Sequence, residues 1–150
     1  TQAVYALAER NIPVVVHIIL GLPGESRETV LRTIDYLNRL PIQGVKLQLL
    51  HVLSDSDLAD LYRAGEYTPL EKEEYLTLVG DCIAHLRADI VLHRLTGDGD
   101  KNTLLAPLWS LRKRDVLNHL HRYLRENHIR QGMSCKIDLS VIYNKPKDVL

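Results

Sequence analysis

Cysteine is scarce, with two in 150 residues. Cys82 and Cys135 stand far apart, so they form neither a C-x-x-C motif nor a disulfide framework, and free thiols are expected. An excess of either charge is also lacking, since 19 Lys and Arg balance 19 Asp and Glu. That removes the global positive field that drives nonspecific nucleic-acid binding, while leaving room for a local basic patch. No apolar run approaches a bilayer span and no signal peptide precedes the first periodic segment. The expected location is therefore cytoplasmic, with no membrane partner. Catalytic signatures are missing too. Ser26 follows Gly-Glu instead of sitting in G-x-S-x-G, and Gly21 to Ser26 lacks the lysine of a P-loop. Both absences count against ordinary hydrolases and nucleoside triphosphatases. His17, His51 and His93 fall near strand ends, as in a barrel metallohydrolase, but H-x-H and H-E-x-x-H are absent. Alternation also turns His51 and His93 away from the face that carries His17, so no metal site is expected.

What is present reads as an ordinary globular chain, 45% hydrophobic and 25% charged. Its most informative run is VVVHIILGLPGESRE, residues 14–28. Seven largely aliphatic residues end in Gly-Leu-Pro-Gly and a helix start, the pattern of a buried parallel strand feeding a βα loop. In α/β folds ligands bind at the carboxyl ends of such strands. Pro23 and Gly24 suit the centre of a type II turn, and Gly21 is expected to leave backbone open to a close ligand. A plain connecting turn is the competing reading.

An opening helix with apolar Val4, Leu7 and Ala8 ends at Asn11 and Pro13, and a strand follows over 13–20. Ser26 caps a helix carrying Val30, Ile34 and Leu37 to Leu40, and a second strand spans 45–52. A short helix over 56–64 precedes Thr68-Pro69-Leu70-Glu71, which reads as a capping box with proline at the first helical position. Leu76, Val79, Ile83 and Leu86 mark the helix after it. A third strand over 90–95 runs into Thr96-Gly97-Asp98-Gly99-Asp100, and a last helix over 113–127 carries Val116 or Leu117, Leu120 and Leu124. KIDLSVIY alternates like a weak strand, and NKPKDVL reads as a tail. The order α-β-α-β-α-β-α calls for a parallel sheet with right-handed crossovers. Residue 1 is Thr, and the chain opens directly on a helix leading into a strand, which reads as the middle of a protein. Three strands with their helices fit the second half of a barrel, since a full barrel takes about 250 residues.

Alternation puts Val15, His17 and Ile19 on one face of the first strand, Lys46 and Gln48 together on the second, and Leu92 with Arg94 on the third. A face sealed by helices would reject such groups, because unpaired buried charge is costly. His17, Lys46, Gln48 and Arg94 are therefore expected to line a lumen. The opposing reading is that Lys46 or Arg94 snorkels to a rim and His17 is a hydrogen-bonded core residue. Trp109, the only Trp, could stack on a substrate or anchor packing.

HIILGLPGES, VKLQLLHVL, IVLHRLTGDGD and LLAPLWSLRKRDVLN together resemble the C-terminal half of radical S-adenosylmethionine proteins of the YhcC/YtqA type. That family is related to oxygen-independent coproporphyrinogen oxidase and the Elongator catalytic subunit. The resemblance covers residues 1–132 and implies an α/β fold, the later strands of a partial (β/α)6 TIM-like barrel plus a C-terminal extension. The barrel half would span 1–88 and the extension 89–132, with 133–150 an unassigned tail. In the family a [4Fe–4S] cluster held by C-x3-C-x2-C reductively cleaves S-adenosylmethionine, and the 5′-deoxyadenosyl radical abstracts hydrogen from substrate. Carried onto this sequence, Ile19, Gly21, Leu22 and Gly24 match the motif that contacts the adenosine part of the cofactor, and Gln48 to Leu53 match the strand end beside it. Arg94 and the loop after it match the extension that helps close the barrel. His17, Lys46, Arg94 and Trp109 are the substrate-side candidates.

The sequence contains no C-x3-C-x2-C, so the cluster ligands and the N-terminal half are expected on a segment outside it. The chain alone is expected to be inactive. Relatives that modify tRNA put a wobble base among the substrates to consider beside small molecules, and the neutral charge adds nothing to that. A homodimer joined through strand 13–20 is expected if the first half is not supplied. A noncatalytic nucleotide-binding α/β domain and a metal-dependent barrel hydrolase stay open as alternatives.

Overall fold

A computed structural model describes residues 1–97 and 99–137. Helix α1 (Gln2–Ala8) leads into strand β1 (Val15–Leu20), helix α2 (Arg27–Leu37) and strand β2 (Gly44–Leu49). A two-residue strand β3 (Val52–Leu53) and helix α3 (Asp57–Arg63) precede helix α4 (Lys72–His85) and strand β4 (Val91–Arg94). Strand β5 (Leu104–Ala106), a 3-10 turn over Leu108–Leu111 and helix α5 (Lys113–Glu126) follow. Strands β1, β2 and β4 form a parallel sheet in the order β1-β2-β4, as the βα alternation requires. β3 and β5 pair antiparallel beside it.

One face of the sheet is sealed. Leu20, Val45 and Leu47 are fully buried, and Val30, Ile34 and Leu37 of α2 pack there with Tyr75, Val79 and Ile83 of α4. Ser26 caps α2, its hydroxyl accepting from the Thr29 N–H at 3.3 Å, and Glu28 supplies the favourable first-turn charge. The base of the sheet is closed by a buried polar knot. The Arg87 guanidinium donates to the carbonyls of Asn38 (3.2 Å) and Ile42 (3.0 Å), and its Nε lies 3.1 Å from Asp89. The Asn38 side chain bridges the His85 carbonyl and the Arg87 N–H. Gln131 then donates to the carbonyls of Arg87 and Ile90.

Four local expectations are corrected. The capping box is not Thr68 with Glu71. It is Glu71 with Glu74, the Glu71 N–H donating to the Glu74 carboxylate at 2.9 Å, so α4 starts three residues later. The Leu70 carbonyl is held by Trp109 and its side chain by Gly21, which keeps residues 68–70 outside the helix. The second strand is shorter than 45–52, because the chain leaves the parallel sheet after Leu49 and Val52–Leu53 pair with β5 instead. In α1, Val4 and Tyr5 lean on the core while Leu7 is 37% exposed. On β4, Leu92 and Arg94 do not share a face. Leu92 pairs with Val45 but Arg94 pairs with Lys46, so a bulge at His93 breaks the alternation. Most of the KIDLSVIY segment, all of NKPKDVL, and Asp98 of the glycine loop lie outside the described residues.

Candidate functional site

Among the described residues no helix covers the second face of the sheet. Val15 (36%), Ile19 (42%) and Val91 (56%) are exposed there. Registration across the strands sets His17 beside Lys46 and Lys46 beside Arg94, a basic row crossing all three strands. Ile19 pairs with Gln48 one step nearer the carboxyl ends. His17 and Ile19 are exposed, and Lys46, Gln48 and Arg94 are half-buried. The four polar residues expected on one face are thus brought together. The bulge adds a fifth: the His93 ring lies 2.5 Å from where a Cβ on Gly44 would be, which places it over Gly44 on this same face. Alternation alone had turned it away.

At the carboxyl end of β1, the Glu25 N–H donates to the Leu22 carbonyl at 3.0 Å and Gly24 has φ +72°, which builds the type II turn around Pro23 and Gly24. Gly24 faces open space. Gly21, at φ +91°, does not. A Cβ there would sit 3.1 Å from Leu70 Cδ1, so the glycine accommodates Leu70 as well as the backbone turn, and the expectation of free space at that side is corrected. Leu22 is 43% exposed at the tip. A groove of about 240 Å³ separates this turn from residues 66–70.

The remaining candidates are placed elsewhere. Leu53 lies in β3, paired with Leu104, off the main sheet. Trp109 packs on Tyr75, with ring centroids 5.6 Å apart, and its indole N–H donates to the Leu70 carbonyl at 3.2 Å. That is a packing anchor between loops rather than a ring presented on the open face. His51 points under the glycine loop, its Nε2 3.0 Å from Ser110 Oγ, and Cβ atoms at Gly97 or Gly99 would meet its ring. Burial pushes the Cys82 thiol up to about 12, with Asp81 and Glu25 adding to the shift, so it stays a protonated core group. Among the described residues no group of His, Cys, Asp and Glu is arranged to hold a metal ion.

Two larger grooves flank the sheet. One of about 480 Å³ between α2 and α4 has an apolar floor of Val30, Leu70 and Leu78 and a charged rim of Glu25, Glu73, Glu74 and Asp81, the last paired with Arg27 at 2.6 Å. It lies on the helix-covered side, away from the basic row. The other, about 450 Å³, runs between the edge of β4 and α5, and its described lining includes His93, Arg94, Lys113 and His121. Neutral composition hid this segregation. Residues 54–81 carry eight Asp or Glu against two Lys or Arg, whereas 112–130 carry six Lys or Arg against two Asp or Glu.

The family described as the Radical_SAM C-terminal domain matches residues 42–126. The chain belongs to that family. Protein YhcC of Escherichia coli (strain K12) is 33% identical over 121 residues, which are 81% of this chain and 39% of that protein. Uncharacterized protein YtqA of Bacillus subtilis (strain 168) is 33% identical over 131 residues, 87% of this chain and 41% of YtqA. The chain therefore spans about two-fifths of the length of these curated relatives. In fold it is similar to the archaeal Elp3 of Methanocaldococcus infernus, with a TM-score of 0.72 at 17% identity over 87% of this chain and 30% of Elp3. A YhcC-type radical SAM relationship, the expectation from HIILGLPGES and its companion segments, is thus established, together with a parallel α/β unit of the kind found within Elp3. No described helix is long and apolar enough to cross a membrane.

Proposed function

We propose that this chain supplies the later strands of a partial (β/α)6 barrel in a cytoplasmic radical S-adenosylmethionine enzyme. The observation that carries this reading is the open face, where a basic row crosses the strands and exposed Ile19 and Leu22 lie beyond it toward the Gly-Leu-Pro-Gly turn. Ile19 and Leu22 offer apolar surface on either side of that strand end, and Gln48 offers an amide beside it. This combination suits an adenosine moiety, with the apolar groups against the ring and the amide for its polar edge. The cofactor, bound with a [4Fe–4S] cluster, would supply a carbon-centred radical for hydrogen abstraction. The cluster does not fit this chain's own residues, since Cys82 is buried in the helical layer and only Cys135 remains. Its ligands belong to a segment that covers the open face and keeps water from it. His17, Lys46 and Arg94 line the position of the substrate, for which we propose a small molecule or an RNA.

Anaerobic reconstitution of the full-length gene product, followed by iron and sulfide analysis and calorimetric titration with S-adenosylmethionine, tests this reading. Cluster incorporation with cofactor binding is expected for the longer product, and no cluster for the 150-residue chain. A full-length product that takes up no iron would sink the proposal in favour of a noncatalytic nucleotide-binding domain. Without the covering segment, β1 is an edge strand among the described residues, and two copies pairing through it is the expected outcome. Light scattering over a concentration series would show a dimer. A monomer with a cooperative melt at every concentration contradicts the half-barrel.

A further inference from the structure

Tyr67 was not singled out by any motif, yet it makes a direct side-chain contact with the Gly-Leu-Pro-Gly turn. Its ring is 7% exposed and sits in the small second core with Val52, Ala59 and Ala106. From there its hydroxyl donates to the Gly21 carbonyl at 2.7 Å. Gly21 is the point in the turn where selection is needed. A glycine at φ +91° has many accessible backbone states, so the orientation of its peptide must be set by neighbours. Leu70 fills the space beside its Cα, and the Tyr67 hydroxyl fixes its carbonyl. Both neighbours come from residues 67–70, which are themselves held by the C-terminal part of the chain. Trp109 donates to the Leu70 carbonyl, and Ala106 of β5 packs against Tyr67.

We propose that Tyr67 is a positioning residue for the cofactor: by fixing the Gly21 carbonyl it sets the direction in which the peptides of residues 21–24 face the adenosine part of S-adenosylmethionine. This rests on the reading of the turn as a cofactor contact. It also assigns a task to β3, α3 and β5, which form a small second core around Tyr67 and so carry a strut to the turn. Burial raises the Tyr67 phenol above its ordinary pKa, so the hydroxyl remains a donor throughout the neutral range.

Tyr67→Phe keeps the ring in its core and removes only the donor. Hydrogen exchange on the 150-residue chain should show the Glu25 N–H, which closes the turn on Leu22, exchanging about tenfold faster, equal to about 1.4 kcal/mol. The amides of Leu47 and Leu49 in β2 should not change. Tyr75→Phe removes a comparable bond, from Tyr75 to the Leu95 carbonyl, and should leave the turn's exchange relative to β2 as it was. In the full-length product, calorimetry should show weaker S-adenosylmethionine binding for Tyr67→Phe, with KM raised and kcat retained. Unchanged exchange at Glu25, or a uniform rise across the sheet, overturns the positioning role. Faster exchange with unaltered cofactor affinity overturns the proposal differently, by showing that the turn Tyr67 holds is not a cofactor contact.

Discussion

The same three strands present two unlike faces. Toward the helices, Leu20, Val45 and Leu47 are fully buried, while toward the open side Ile19 and Val91 remain 42% and 56% exposed and alternate with His17, Lys46 and Gln48. Neighbouring residues on one strand thus serve different ends. One set sustains the fold, and the other can be varied for binding at little cost to it, because its side chains are exposed or half-buried.

The largest test exchanges neighbours on β2. Leu47→Ala should destabilise by about 2–5 kcal/mol through lost transfer energy and a cavity, whereas Gln48→Ala should stay within about 0.5 kcal/mol. Urea denaturation of both variants measures the gap, and equal losses would mean that the open face is part of the core. A middle-sized effect is expected where the faces meet the bulge. Gly44→Ala places a methyl group 2.5 Å from the His93 ring and should cost about 1–3 kcal/mol by overpacking. His93→Ala should recover most of that loss in a double-mutant cycle, and additive losses would mean that the backbone, not the ring, resists the methyl. The smallest effect belongs to neither face. Lys72 pairs with Asp115 at 2.7 Å on the outer helices, and its hydrogen bond holds the Asp115 carboxyl below its ordinary pKa. A lowered carboxyl pKa contributes stability above the ordinary carboxylate range and loses it as pH falls through the lowered value. Lys72→Ala should therefore shift the thermal midpoint slightly at neutral pH and not at all in strong acid. A larger shift in acid than at neutral pH would refute the pairing.

Much of this contrast could be read from residue order. Runs such as VVVHIIL and VKLQLL specify strands, although only the second is largely buried and β1 is exposed at every other residue, and Pro23-Gly24-Glu25-Ser26 specifies both the turn and the cap of α2, because these signals are local. The elements that escaped are set by distant partners. β3 and β5 are two and three residues long and exist only because they pair with each other. Thr68 and Glu71 each have a glutamate three residues on, and contacts from Trp109 and Gly21 to Leu70 decide between them. The bulge at His93 leaves no mark in composition, so alternation misplaced both Leu92 and His93. Gly21 adopts φ +91° beside Leu70 instead of facing open space, and Tyr67 offered only an ordinary tyrosine before a Thr-Pro pair.

The polar knot at the base of the sheet bears on how the chain is made. A ribosome delivers residues from the N-terminus, and domains generally begin to fold in that order. Strands β1, β2 and β4 and helices α2 and α4 are all synthesised before Gln131, yet the carbonyls of Arg87 and Ile90 take their side-chain donor from it. Until residue 131 has emerged, the Arg87 carbonyl has only the Ile90 N–H as a donor within the turn, and the Ile90 carbonyl lacks its side-chain donor. The nascent sheet therefore remains open to solvent at its base during elongation, and Gln131 acts as a late clasp, fastening a turn that was synthesised some forty residues earlier.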